Sequence, residues 1–259
     1  MAFEPGIRRR QMVVGNWKMN GSKQENTHLL AEVMHSWVPL TQVDVAICPP
    51  FVYLPQVADT LQGSGIVWGG QSINPNATGA FTGEVSARML SDFDAAYVIV
   101  GHNERRRLRG ESDQYVAEQF LAAQREGLIP ILCVGESEEA REAGHALDAI
   151  TAQLSVVIEK AGIGAFANAV VAYEPIWAVG TGKSATPQEA EQVHKHIRQL
   201  FGDLGSQLTL LYGGSVKVHN AAELFALEDI DGALLGGASL DAKEFLAICR
   251  CAEQASHKG

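Results

Sequence analysis

Eight short apolar segments recur along this chain of 259 residues, and they constrain its fold more than any other feature. None of them alternates strictly between apolar and polar residues, which is typical of strands that are buried on both faces. Their first residues lie about 20–40 positions apart, and helical patterns fill the intervals. The predicted strands are Met12–Gly15, Val43–Cys48, Gly65–Gly69, Ala96–Val100, Ile129–Val134, Ala169–Tyr173, Leu208–Tyr212 and Gly232–Leu235.

Helical periodicity follows several of these strands. The clearest helix start lies at Thr186, which can cap a helix while Pro187 fits its first turn. Glu189 stands three residues after Thr186 and completes a capping box. The predicted helices are Ser112–Glu126, Leu147–Ala161, Thr186–Phe201 and Asn220–Leu227.

Alternating strands and helices predict a parallel α/β fold. Eight such units in about 250 residues favour a single (β/α)8 barrel, and a doubly wound open sheet is the main alternative. No linker, low-complexity tract or change in composition divides the chain. We therefore interpret residues 1–259 as one barrel domain, in which residues 1–11, with their arginines, form a solvated N-terminal extension.

Charge and composition exclude several classes of function. The chain carries 30 acidic and 20 basic residues, and its net charge of −10 argues against nucleic-acid or anionic-membrane partners. It has no apolar run of about 18 residues that would indicate a transmembrane helix, and no apolar region follows its first arginines as in a signal peptide. The four cysteines lack CxxC spacing and are predicted to be reduced thiols, which favours the cytoplasm.

Polar residues follow several predicted strands, at the end where barrel enzymes place their active sites. Asn16 and Lys18 follow the first strand; a lysine there can attract a phosphate or an enolate oxygen, and it can equally be a solvated surface residue. His102 follows the fourth strand at the start of a helical turn, whose positive end disfavours imidazolium. A neutral hydrogen-bond donor and a structural histidine are both consistent with this position. Glu104 is well placed to pair with a lysine.

Glu174 directly follows the sixth strand. Partial burial beside the proline, isoleucine and tryptophan that come next would raise its pKa, which suits a general base. We interpret Pro175–Ala185, with its rigid start and glycine-containing tip, as a mobile lid. The triplet Gly182-Lys183-Ser184 is not a P-loop, because Trp177 stands where that motif requires glycine.

Glycine pairs follow the seventh and eighth strands, at Gly213-Gly214 and Gly236-Gly237. Such pairs let backbone N–H groups approach an anion closely, although one pair alone would serve an ordinary turn equally well. Barrel enzymes commonly bind phosphate after these two strands. No His, Cys or Asp cluster has the spacing of a metal site, and His194 and His196, which point to different faces of a predicted helix, are expected on the surface.

The chain resembles the triosephosphate isomerase family in six segments, which occur in the family's order and cover the chain from about residue 12 to residue 252. The combination is highly specific. The resemblance implies a TIM barrel that interconverts dihydroxyacetone phosphate and glyceraldehyde 3-phosphate, in glycolysis and gluconeogenesis, without a metal or cofactor. The segments are Asn16–Asn20, Gly79–Glu84, Val134–Glu136, Tyr173–Gly182, Tyr212–Val216 and Gly236–Leu240.

The same resemblance implies a role for each site residue. Glu174 is the general base that takes and returns the carbon-bound proton, and His102 is the neutral electrophile that polarises the carbonyl. Lys18 stabilises the negative enediolate and contacts the substrate together with Asn16. This family is itself the standard example of a glutamate base, a neutral histidine and a closing lid, so these roles have no independent support from general enzymology. The phosphate would bind backbone N–H groups of Gly180, Ser215, Gly236 and Gly237.

The family is dimeric, which implies a homodimer in which the loop Gly79–Glu84 inserts near Lys18 of the partner subunit. The chain departs from the family at Asn103, where serine is usual. We expect the larger amide to change how Glu174 is held and to lower the activity modestly.

Two other functions remain open. A different barrel enzyme acting on a phosphorylated substrate, such as an aldolase or epimerase, would need a Schiff-base lysine inside a strand or a set of metal ligands, and neither is evident. A non-catalytic barrel protein that binds a phosphorylated metabolite would be expected to lack Lys18, His102, Glu174 or the lid, and all are present. The sequence therefore predicts a locally positive pocket on an acidic protein.

Overall fold

A closed barrel of eight parallel strands forms the centre of the structure. The computed structural model describes residues 9–178 and 185–256. Each strand pairs with the next along the chain and the last pairs with the first, so the prediction of a (β/α)8 barrel is confirmed and an open sheet is excluded. The strands are β1 (Gln11–Asn16), β2 (Val43–Cys48), β3 (Val67–Gly70), β4 (Tyr97–Val100), β5 (Ile129–Val134), β6 (Val170–Tyr173), β7 (Thr209–Tyr212) and β8 (Gly232–Leu235).

Helices surround this barrel, and short 3₁₀ turns join several of them to the strands. The capping box predicted at Thr186 is present, because its side chain accepts from the Glu189 N–H while the Glu189 carboxylate accepts from the Thr186 N–H. No helix in residues 9–178 and 185–256 is long and apolar enough to cross a membrane. The helices are α1 (Lys23–Ser36), α2 (Leu54–Leu61), α3 (Ala87–Ser91), α4 (Asn103–Arg109), α5 (Asp113–Arg125), α6 (Glu138–Glu142), α7 (Ala146–Ala161), α8 (Pro187–Leu200), α9 (Val218–Phe225) and α10 (Ala242–Ser256).

Pairing between β8 and β1 closes the barrel. Met12 lies opposite Gly232, and Gly15 lies opposite Leu235. A Cβ atom at Gly232 would lie 1.8 Å from the Met12 carbonyl oxygen, and the φ angle of this glycine is +139°. Only glycine tolerates both the contact and the angle, so this residue allows β8 to approach β1 closely.

Successive residues of each strand face alternately into the barrel and outward to the helices. Met12 and Val14 of β1 pack inside the barrel with Ala46 and Cys48 of β2, whereas Val13 packs against the helices. Each large apolar side chain buried in this way contributes about 1.5–3 kcal/mol relative to its exposure. Burial on both faces explains why the strand sequences lack polar alternation.

Ion pairs hold the amino end of the barrel together. Arg198 of α8 lies 2.7 Å from an Asp229 oxygen and 2.8 Å from an Asp231 oxygen. Arg9 approaches the other oxygen of Asp231 at 2.7 Å. All four side chains are mostly buried, so removing one partner would leave an uncompensated charge in a site that water hardly reaches.

The N-terminal extension is shorter than predicted. Gln11, which the prediction includes in the extension, is the first residue of β1. Arg9 pairs with Asp231, and Arg10 lies 2.9 Å from Asp44, so the expectation of unpaired, solvated arginines is wrong for these two residues. The interpretation of residues 1–259 as one domain stays a prediction.

His194 is buried, contrary to the expectation that it lies on the surface. The ring packs edge-on against Tyr173, with ring centroids 5.7 Å apart, and its Nδ1 lies 2.8 Å from the Ala190 carbonyl oxygen. Burial lowers the pKa of His194, because the charged form would lose its hydration. His196 is also engaged, since its Nε2 lies 2.8 Å from the Thr151 hydroxyl oxygen.

We expect the buried His194 to make stability depend on pH. Its pKa is depressed in the folded chain, so its contribution is complete above the unfolded value of about 6.5 and is lost as the pH falls below it. Urea unfolding from about pH 8 to about pH 5.5 should show a smaller decline for His194→Gln than for the unsubstituted chain. His28→Gln, at an exposed position of α1, is the matched control and should leave the decline unchanged. Equal declines for His194→Gln and the unsubstituted chain would contradict this assignment.

Candidate active site

A cavity of about 200 Å³ opens at the carboxyl ends of the strands. Parallel strands place all their carboxyl ends at one rim, so residues far apart in sequence meet there. The predicted site residues in the described ranges all line this cavity, and Gly180 lies outside those ranges. The lining residues are Asn16, Lys18, His102, Glu174, Ala178, Gly213, Gly214, Ser215, Val216, Lys217, Leu234, Leu235, Gly236, Gly237 and Ala238.

Lys18 reaches the cavity from a strained backbone just after β1. Its φ angle is +53°, in the left-handed region that non-glycine residues rarely adopt. The Asn16 side-chain oxygen accepts a hydrogen bond from the Lys18 N–H at 3.0 Å, and the Gln71 amide donates to the Lys18 carbonyl at 2.9 Å. The Lys18 ammonium lies 2.6 Å from a Glu104 carboxylate oxygen, which confirms that Glu104 pairs with a lysine. These contacts hold the strained residue in one orientation.

His102 caps the amino end of α4, as the sequence predicts. Its Nδ1 accepts a hydrogen bond from the Glu104 N–H at 3.2 Å, which assigns the ring proton to Nε2. Nε2 in turn donates to a Glu174 carboxylate oxygen at 2.9 Å. This arrangement is that of a neutral imidazole with its N–H directed toward the carboxylate.

Glu174 is almost fully buried, with 3% of its surface exposed. One carboxylate oxygen accepts from the Asn103 backbone N–H at 2.9 Å, and the other accepts from the Asn103 side-chain amide at 2.8 Å as well as from His102. Burial raises the pKa of Glu174, but the His102 imidazole and the hydrogen bonds from His102 and Asn103 together bring it below its ordinary value. The expectation that burial raises this pKa is therefore wrong for this conformation.

A second buried carboxylate lies behind the cavity. Glu136 is fully buried, and one of its oxygens accepts from the Tyr173 hydroxyl at 3.0 Å and from the Trp177 indole N–H at 2.8 Å. The Arg141 guanidinium carbon lies 4.2 Å from the centre of the Trp177 ring. These contacts fix Trp177 in the first part of the predicted lid, and residues 179–184 of that segment lie outside the described residues.

The glycine-containing loops after β7 and β8 border the cavity beside Lys18. A Cβ atom at Gly236 would lie 3.3 Å from the Lys18 side-chain carbon next to its nitrogen. The lysine ammonium and the backbone of the predicted phosphate loop are thus neighbours. No group of metal-ligating side chains occurs in the part of the chain that the structure describes.

Sequence reasoning gave no role to three residues that shape this site, although position signals each of them. Gln71, Glu136 and Lys217 each follow a strand by one to five residues, at the end where functional residues gather. Their partners are distant in the sequence, so the spacing of motifs does not reveal what they contact.

A parallel barrel that gathers acid–base side chains and a lysine at its carboxyl rim belongs to the (β/α)8-barrel enzymes. The comparisons with known proteins narrow this class. The family model described as triosephosphate isomerase matches residues 11–252, so the chain belongs to the triosephosphate isomerase family.

The chain is similar to curated proteins from several organisms, each named triosephosphate isomerase. It is 54% identical to the protein from Thiobacillus denitrificans over 248 residues, which are 94% of this chain and 99% of that relative. It is 51% identical to the proteins from Dechloromonas aromatica and Pseudomonas fluorescens, again over 94% of this chain and 99% of each relative. Similarity of this extent includes every strand of the barrel.

Proposed function

We propose that this chain is a single-domain isomerase that interconverts dihydroxyacetone phosphate and glyceraldehyde 3-phosphate through an enediolate. One observation carries the proposal. The Glu174 carboxylate, the His102 Nε2–H and the Lys18 ammonium line the same small cavity, which excludes bulk water from much of their surface. The reaction moves protons within one substrate, so its electron balance requires no redox cofactor.

Glu174 is the base in this proposal. It takes a proton from carbon 1 of dihydroxyacetone phosphate and returns it to carbon 2, while the carbon–carbon bond gains and then loses double-bond character. His102 donates from Nε2 to the carbonyl oxygen and recovers a proton from the neighbouring hydroxyl, so protons balance over the cycle. In the structure all these Glu174 oxygens are occupied by donors from His102 and Asn103, so the carboxylate must exchange donors to reach a substrate carbon.

Lys18 and the glycine loops bind the two negative regions of the substrate. The Lys18 ammonium stabilises the enediolate oxygen, and Asn16 supports it through the Lys18 backbone. Backbone N–H groups of Ser215, Gly236 and Gly237 bind the phosphate, together with that of Gly180 in the lid. Closure of the lid would exclude water and strengthen each of these electrostatic contacts.

We propose a cytoplasmic location for the enzyme. All four cysteines are free thiols, and three of them are buried in the barrel or against it. Free thiols are the rule where glutathione and thioredoxin keep cysteines reduced.

The direct test is an isomerase assay, coupled to the consumption of glyceraldehyde 3-phosphate, on the unsubstituted chain and on Glu174→Asp. The shorter side chain withdraws the carboxylate from the substrate carbon by one methylene group. We expect kcat to fall by about a hundredfold or more with little change in KM. Glu223→Asp, the same change at an exposed position of α9, should leave both constants unchanged.

Three results would contradict the proposal. An unsubstituted chain that binds triose phosphate without turning it over would favour the non-catalytic barrel protein. Cleavage or epimerisation of a phosphorylated sugar without triose isomerisation would favour another barrel enzyme. An unchanged kcat for Glu174→Asp would exclude Glu174 as the base.

We predict that Asn103 restrains Glu174 more than the serine of related proteins would. Asn103→Ala removes the side-chain donor and keeps the backbone N–H. Loss of this donor should raise the pKa of Glu174, so the acidic limb of the kcat/KM profile should move to higher pH. Asn103→Ser should raise kcat/KM by about two- to tenfold, the value of one net hydrogen bond.

The two variants distinguish restraint from damage. A rise above about a thousandfold for Asn103→Ser would show that the site as it stands is crippled rather than restrained. An unmoved acidic limb for Asn103→Ala would show that the side-chain hydrogen bond has no influence on the base.

We propose that the chain forms a homodimer through the loop Gly79–Glu84. Two large apolar side chains beside the site are exposed in the single chain, Met19 by 95% and Phe81 by 44%. The loop is closed at its base, where the Asn74 amide donates to Glu84 at 3.1 Å, so it projects as a defined unit. Insertion of this loop near Lys18 of the partner subunit would cover both apolar residues.

Sedimentation analysis tests the dimer. Phe81→Asp should shift the chain toward monomer at micromolar concentration, because the interface would then bury an unpaired carboxylate. Ile163→Asp is the matched control, since Ile163 is 43% exposed and lies on the opposite side of the fold, in the 3₁₀ turn before β6. A monomeric unsubstituted chain, or a dimer that survives Phe81→Asp, would contradict the proposed interface.

A further inference from the structure

Lys217 lies in the segment between β7 and α9, and the mechanism gives it no task. It lines the same cavity as Lys18 and the glycine pair Gly236-Gly237. Its ammonium lies 3.2 Å from a Glu244 carboxylate oxygen in the first turn of α10, with 45% of the lysine side chain exposed. The side chain therefore extends from the loop after β7 toward the helix that follows β8.

The backbone of Lys217 is fixed beside the cavity. Its N–H donates to the Asn220 side-chain oxygen at 2.8 Å, while the Asn220 amide donates to the Ser215 carbonyl at 3.1 Å. One asparagine on α9 thus holds both ends of the segment 215–217. The Ser215 carbonyl is directed toward α9, so it does not present its negative end to an anion in the cavity.

The cavity requires more positive charge than Lys18 alone supplies for a phosphate dianion. Lys18 is paired with Glu104 at 2.6 Å, and His102 is the neutral imidazole described above. Among the lining residues that the structure describes, Lys18 and Lys217 are the two with a permanent positive charge. The pair between Lys217 and Glu244 is half exposed, and such pairs are worth at most about 1 kcal/mol, so the ammonium can leave its carboxylate at small cost.

We propose that Lys217 is a further substrate-binding residue, whose ammonium adds its charge to the phosphate subsite, and that Glu244 holds it when the site is empty. The inference rests on the proposed function for the position of the phosphate. It assigns Lys217 to binding of the phosphate group rather than to the proton transfers, so its removal raises KM and leaves kcat nearly unchanged.

The experiment uses inorganic phosphate as the probe, with titration calorimetry for Kd and the isomerase assay for kcat and KM. Lys217→Gln should raise Kd and KM by up to about fivefold, whereas Lys217→Arg should retain the values of the unsubstituted chain. Glu244→Gln should lower Kd, because it frees the ammonium from its carboxylate. The effect of Lys217→Gln should diminish between about 50 and 200 mM salt, as screening increases.

Lys243→Gln is the matched control, because it removes the same charge from α10 at a residue that does not line the cavity. An equal change in Kd for Lys243→Gln and Lys217→Gln would reduce the effect to net charge and overturn the inference. Unaltered constants for Lys217→Gln in an active isomerase would overturn it as well and leave the proposed reaction intact. Phosphate binding that depends on Lys217 in a chain without isomerase activity would support the subsite and contradict the proposed reaction.

Discussion

Closure of the sheet between its last strand and its first is the constraint on which the rest of the structure depends. Without it, β1 and β8 would be open edges, and Lys18 and the glycine loop after β8 would not be neighbours. The contact is possible because Gly232 carries no side chain where the Met12 carbonyl approaches. Closure also gives all eight strands one shared rim, which brings Lys18, His102 and Glu174 to one cavity from positions 18, 102 and 174 of the chain.

The fold was predictable because each strand announces itself locally. Val43–Cys48, Ile129–Val134 and Gly232–Leu235 have the bounds that their apolar composition predicts, since two-sided burial demands such composition wherever the strand lies. His194 shows the opposite case. Ala190, His194 and Ile197 lie on one helical face, so spacing indicated burial, and the polar character of the imidazole misled the interpretation.

The positions of the site residues were predictable, but their electrostatics were not. Location after a strand was enough to single out Glu174, and its burial followed from its apolar neighbours. The three hydrogen bonds that reverse the expected pKa come from His102 and Asn103, about seventy positions earlier in the chain. Distant donors of this kind leave no trace in local sequence. The same holds for the carboxylates that pair with Lys18 and Lys217, so the cavity's positive charge rests on balanced pairs rather than on free cations.

The pairing of β1 with β8 also sets the order in which the protein can be completed. Met12 is among the first residues synthesised, and its partner Gly232 is among the last. During translation β1 has an unpaired edge until almost the whole chain has left the ribosome, and contacts between such distant segments are slow to form. Arg9 has to wait equally long for Asp231. Barrel closure is therefore a post-translational event, and in the interval the nascent chain has an exposed strand edge that other chains or chaperones can bind.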